Sequence, residues 1–150
     1  MPNPNLRVSF IYPRNISILR SMIKVRIFKA SNYPVGSVMI KRKLRALLKE
    51  KGLVSNAEIS VALVGKERML KLAKKYLEKD TSIHNVLSFT ENEIMQKFVY
   101  PPGDINRLGE VVVCYPKMME EAKIENKRID IKVWELIEHG TMHLLGFHHK

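Results

Sequence analysis

Two hydrophobic periods alternate along this chain. Ile23, Val25 and Ile27 alternate with Lys24 and Arg26 in a segment ending at Phe28, which predicts a half-buried strand. Ile40, Leu44, Leu47 and Leu48 then fall at helical spacing, with Gly52 as a stop. Ala57, Ile59, Val61 and Leu63 restore the two-residue period and predict a second strand. Met69, Leu72, Ala73 and Tyr76 form one face of a second helix, whose other face carries Lys66, Arg68, Lys71, Lys74 and Lys75. The short apolar run Val86 to Phe89 predicts a third strand and Leu108 to Val113 a fourth. Thr90 to Arg107 between them reads as a long connection holding Pro101, Pro102 and Gly103, and connections of that length are usually functional or mobile. Pro116 is placed for the first turn of a helix through about Ile124, and Asp130 to Leu145 predicts the last helix. Strands interleaved with helices imply an α+β sandwich: a small mixed four-stranded sheet packed with about four to five helices.

The first 21 residues fit neither period. They hold Pro2, Pro4 and Pro13 and three arginines with no acid, and Met22 opens the first strand. We expect a disordered extension or a misassigned start over 1–21 and one domain over 22–150. The 150 residues carry 26 basic and 15 acidic side chains, a formal charge of +11, which falls to about +8 without those three arginines. Such an excess favours an anionic partner such as nucleic acid. No apolar run spans a bilayer, and no small-residue cleavage site follows Phe10 to Tyr12. The single cysteine, Cys114, excludes an internal disulfide and a thiolate zinc cluster, and beside Val111–Val113 it reads as a small buried hydrophobe. These features together predict a cytoplasmic protein.

Four of the five histidines lie in the last twelve residues. His139 and His143 are four apart, so on a helix both rings project from one face, one turn apart. Gly146 can end that helix, and His149 can return over its end as a third ligand. Three protein ligands with one open position are the pattern of a catalytic zinc site, here at the C-terminal helix end. Nickel, iron or copper also suit such nitrogen donors. The spacing H-x3-H-x5-H is shared with zinc proteases, which place a glutamate directly after the first histidine as general base. That position is Gly140, and Glu138 points about 100° away from His139 around the helix. The peptidase reading therefore lacks its proton-transfer residue.

The segment His139-Gly140-Thr141-Met142-His143-Leu144-Leu145-Gly146-Phe147-His148-His149 resembles the signature of the YbeY family of metal-dependent endoribonucleases, approximately H-G-x-L-H-L-x-G-Y-D-H. Two further pieces agree: His84-Asn85-Val86-Leu87-Ser88-Phe89-Thr90 with the family's T-D/N-V-L-S-F-P strand, and Leu108-Gly109-Glu110-Val111 with L-G-D-I. The resemblance spans about Met22 to Lys150. It implies a single-strand-directed endoribonuclease of ribosomal RNA maturation and ribosome quality control, with zinc in a groove between helix and sheet. It implies His139, His143 and His149 as metal ligands, RNA and the ribosome or its small subunit as partners, and no membrane or nucleotide cofactor.

Two positions depart from the family pattern. His148 stands where the family has aspartate, and Leu77 where it has an arginine after Tyr76. A guanidinium is a planar two-pronged phosphate donor, and leucine cannot replace it. Lys71, Lys74, Lys75 and Lys79 supply charge for RNA without that geometry. Ser88 and Glu110, at the edges of predicted strands, are candidates to line the groove beside His139, with Glu110 as the proposed base. The competing readings are a ribosome-associated RNA-binding zinc protein without catalysis, motivated by Leu77, and another metallohydrolase, a peptidase included.

Overall fold

The computed structural model describes residues 22–77, 82–94 and 105–147. The segment 1–21, Lys79, His148 and His149 lie outside them, as does the middle of the connection after Thr90. Four strands form one sheet in the order β1-β2-β4-β3, where β1 is Ile23–Lys29, β2 Ala57–Val64, β3 Val86–Thr90 and β4 Asn106–Cys114. β1, β2 and β4 run parallel, and β3 pairs antiparallel with β4 at one edge. Five helices accompany them among the described residues: α1 Ser37–Glu50, α2 Lys66–Tyr76, α3 Glu91–Ile94, α4 Tyr115–Glu125 and α5 Ile129–Leu144. The mixed four-stranded α+β architecture expected from the two periods is thus present.

Alternation along the strands assigns each helix to a face. Ile59, Val61, Leu63, Val111 and Val113 pack with Ile40, Leu44 and Leu48 of α1 and with Val133 and Ile137 of α5. Their even-numbered neighbours Ala62, Val64, Val112 and Cys114 form a second cluster with Met69 and Leu72 of α2. The sheet is therefore a wall with α1 and α5 on one side and α2 on the other. Strands buried on both faces explain why β2 and β4 end in continuous apolar runs.

Two features fall within what the sequence presents as a plain connection. α3 starts directly after Thr90, whose backbone N–H donates to Glu93 Oε1 at 2.8 Å while Glu93 N–H donates back to Thr90 Oγ1 at 3.3 Å. That reciprocal pair is a capping box. β4 begins at Asn106 rather than Leu108, because Asn106 and Arg107 pair with Ala57 and Glu58 before a register shift. No described helix is long and apolar enough to cross a membrane.

α5 is joined to α4 through a buried lysine. Lys132 is only 6% exposed. Its Nζ donates to both carboxylate oxygens of Glu125 at 3.0 Å, and lies 3.6 Å from Glu121. Glu121 in turn accepts from Asn85 Nδ2 at 2.8 Å, which ties the start of β3 to the same network.

Candidate metal centre

α5 crosses the sheet so closely at Gly140 that a side chain there would force its neighbours to shift. A Cβ on Gly140 would lie 2.7 Å from Val111 Cγ1, inside normal carbon contact, and would just touch Val86 Cγ2 at 3.4 Å. The residue whose presence counts against a peptidase therefore has a packing role: it lets α5 rest on β3 and β4. His139 and His143 flank that contact and come to lie beside β3. Between them and β3 runs a groove of about 550 Å³, lined from the strand by Ser88 and Asn85 and from the helix by Glu135, His139, Gly140 and His143.

The two histidines converge. Their Nε2 atoms are 3.1 Å apart and their ring centroids 4.5 Å. Two ring nitrogens approach so closely only with a proton or a cation between them. Zn–N bonds of about 2.0–2.1 Å in tetrahedral geometry put two ligand nitrogens about 3.3 Å apart. The pair therefore fits two corners of a zinc tetrahedron with little movement. Among the described residues no group of three or more His, Cys, Asp or Glu is assembled to hold a metal, and the third expected ligand, His149, lies outside them. What leads toward it is defined. Gly146 has φ +91°, its N–H donates to His143 O at 3.0 Å, and Phe147 N–H donates to Met142 O at 2.9 Å. This is a Schellman stop, which satisfies the last carbonyls and turns the chain away from the helix axis.

The other expected site residues separate. Ser88 pairs with Val111, whose side chain meets α5, so Ser88 shares the face of the histidines and lines the groove. Glu110 pairs with Phe89, which belongs to the α2 cluster, so its carboxylate is directed to the opposite face of the sheet. There burial pushes the Glu110 carboxyl up from the usual glutamate range, and the Arg68 charge pulls it partly back. The sheet thus stands between Glu110 and the histidines. Lys71, Lys74 and Lys75 are exposed on α2, also behind the sheet, and Lys71 lies 3.6 Å from Glu67. The outgoing end of α2 nevertheless reaches the β3 edge, where Tyr76 packs on Phe89 with ring centroids 4.5 Å apart. Leu77 follows there, 41% exposed.

One acid of the groove escaped the sequence reading. Glu135 lies four residues before His139, so Glu135, His139 and His143 form a single stripe along α5. Lys127 Nζ donates to both of its carboxylate oxygens, at 2.9 and 2.8 Å. The i, i+4, i+8 spacing was the available signal.

Comparisons with known proteins identify the family. A family model described as Endoribonuclease YbeY matches residues 30–150. A protein of Acinetobacter baylyi named Endoribonuclease YbeY is 32% identical over 123 residues, which cover 82% of this chain and 76% of its own length. A Francisella philomiragia protein of the same name is 28% identical over 129 residues, 85% of this chain and 78% of its own. The solution structure of TM1509 from Thermotoga maritima shares the fold, with a TM-score of 0.54 at 24% identity over 84% of this chain and 75% of that one. By the match over residues 30–150 and the 32% identity to a relative matched over 76% of its length, the chain belongs to the YbeY family.

Proposed function

We propose that this protein is a zinc-dependent endoribonuclease that cuts single-stranded RNA, acting in the cytoplasm in ribosomal RNA maturation and ribosome quality control with the ribosome or its small subunit as partner. The observation that carries the reading is the convergence of His139 and His143 at 3.1 Å on one wall of an open groove, in a chain whose relatives are named endoribonucleases. His139 and His143 would hold the metal, with His149 as the third ligand. When bound, zinc supplies Lewis acidity toward a phosphoryl oxygen and an activated water near neutral pH.

The chain's own residues do the rest. Ser88 lines the groove across from the histidines, and its hydroxyl would donate to a phosphoryl oxygen as negative charge builds there. Glu135 is the carboxylate on the groove side and takes the base role in place of Glu110, with Lys127 fixing its orientation. Lysines and arginines of α1, on the same side of the sheet as the histidines, hold the RNA backbone, so binding weakens steeply with salt.

Cleavage of single-stranded ribosomal RNA by zinc-loaded protein, beside a His139→Ala variant, tests this. Cleavage by the wild type that a chelator abolishes and the variant lacks is expected; equal cleavage by both refutes it. A second reading, an RNA-binding zinc protein without catalysis, is favoured by Leu77 at the family's arginine position. RNA binding without metal-dependent cleavage would establish that reading instead.

A further inference from the structure

A second cavity, of about 410 Å³, lies on the other flank of His139, between the C-terminal end of α1 and α5. Its size falls within the range of about 300–1,000 Å³ usual for small-ligand sites. Leu47, Met142 and Phe147 supply its apolar surface, while Glu50, Glu138 and Lys51 supply its polar groups. Phe147 is 51% exposed, and Lys51 Nζ stands 5.6 Å from its ring centroid. The Schellman stop fixes the backbone that carries this ring: Phe147 N–H is bonded to Met142 O at 2.9 Å, and both side chains line the cavity.

The charge inside is opposite to that of the chain. A protein of formal charge +11 places Glu50 and Glu138 here against Lys51, the single cation among the described residues that line the cavity, with Glu135 at the boundary to the histidine groove. Carboxylates repel phosphate, so the cavity does not suit the RNA backbone. They accept hydrogen bonds well, as they do from the N4 amine of cytosine. An exposed aromatic ring beside them is a stacking platform for an unpaired base.

We propose that this cavity is a nucleobase pocket, resting on the RNA reading above, in which a base stacks on Phe147 and presents an exocyclic amine to Glu138 and Glu50. His139 and Glu135 line both cavities, so the base held is one flanking the phosphate in the groove. Cytosine is therefore taken in preference to uracil, its near-isostere. Uracil turns a carbonyl oxygen toward the carboxylates where cytosine turns an amine.

Fluorescence anisotropy with short oligocytidylate and oligouridylate of equal length tests the pocket without requiring cleavage. The wild type is expected to bind oligocytidylate about tenfold more tightly. The Glu50→Gln, Glu138→Gln double variant should reduce that ratio to near one. Phe147→Leu keeps the apolar contact with Met142 but loses the flat face, and should weaken binding of both oligomers by about tenfold, whereas Phe147→Trp should not. Equal wild-type affinity for the two oligomers overturns the proposal. So does a cytosine preference that survives the double variant, or an unchanged affinity in Phe147→Leu. Cleavage of the same oligomers by zinc-loaded protein is followed separately. Selective binding with no cleavage would refute the nuclease reading while supporting the pocket, and cleavage with no base preference would do the reverse.

Discussion

Replacing Gly140 by alanine puts a methyl group where α5 touches the sheet. Its Cβ would sit 2.7 Å from Val111 Cγ1 and 3.4 Å from Val86 Cγ2. Carbon atoms prefer about 3.5–4.0 Å, so helix and strand must part by roughly 1 Å. Val111 is fully buried and β-branched, so its methyls cannot swing aside. Overpacking of this kind costs about 1–3 kcal/mol. Alanine returns about 0.8–1 kcal/mol through helix propensity. A net loss of about 0–2 kcal/mol is expected, read as a fall in Tm of up to about 6 °C. Removing the obstacle should remove the penalty. Val111→Ala alone costs about 2 kcal/mol in lost burial and cavity. The double variant should then be more stable than the two single losses together imply, by about 1–3 kcal/mol. Function should split. His139 and His143 ride together on α5, so the zinc affinity of Gly140→Ala changes little. Their distance to Ser88 changes, and a misplacement of about 1 Å can cost about 100-fold in kcat. Urea unfolding of the four proteins, zinc titration and RNA cleavage make the set of assays. An unfolding midpoint unchanged by Gly140→Ala, with strict additivity alongside Val111→Ala, would refute the close-packing argument.

Three other perturbations follow from the same structure. Burial raises the Glu110 carboxyl, so the folded state loses stability as pH rises above the unfolded glutamate value. Glu110→Gln should therefore match the wild type in urea midpoint at acid pH and exceed it at neutral pH, with RNA cleavage unchanged; a lost activity would return Glu110 to the site. Lys132→Ala should lower the urea midpoint, because it removes the buried cation that bridges Glu121 and Glu125 between α4 and α5. The Lys132 hydrogen bond, more than that of Lys127, lowers the Glu125 carboxyl. Its contribution is present above the unfolded glutamate value and lost as pH falls through the lower folded one, so the variant should show a shallower acid limb in urea midpoints than the wild type. Cys114 is fully buried and its thiol is pushed up by that burial. It should resist thiol reagents in native protein and react at the rate of unfolding; rapid labelling would contradict its place in the core.

Much of this fold could be read from residue spacing. β1 and β2 announce themselves by alternation, and α5 by its stripe and the Gly146 stop. α3 was missed because four residues are too few for a period, although Thr90 and Glu93 spell a capping box. The start of β4 at Asn106 depends on pairing with Ala57, a contact 49 positions away that no local pattern encodes. The site was legible where its chemistry is local, as with His139 and His143 on one helix. It was not legible where it depends on which face of the sheet α5 covers. Alternation separates Glu110 from Ser88 only once β3 and β4 are in register. Glu135 lay one turn before the first histidine, outside the positions adjacent to it that the protease comparison brings to mind.

Metal content of untagged protein, measured beside His139→Ala and His143→Ala, bears most directly on the claim that this helix carries a metal centre. The account predicts about one zinc per chain in the wild type, with nitrogen ligands at about 2.0–2.1 Å by X-ray absorption, and loss of the metal in both variants. A wild type that takes up no zinc, or variants that hold it as tightly, would contradict the account.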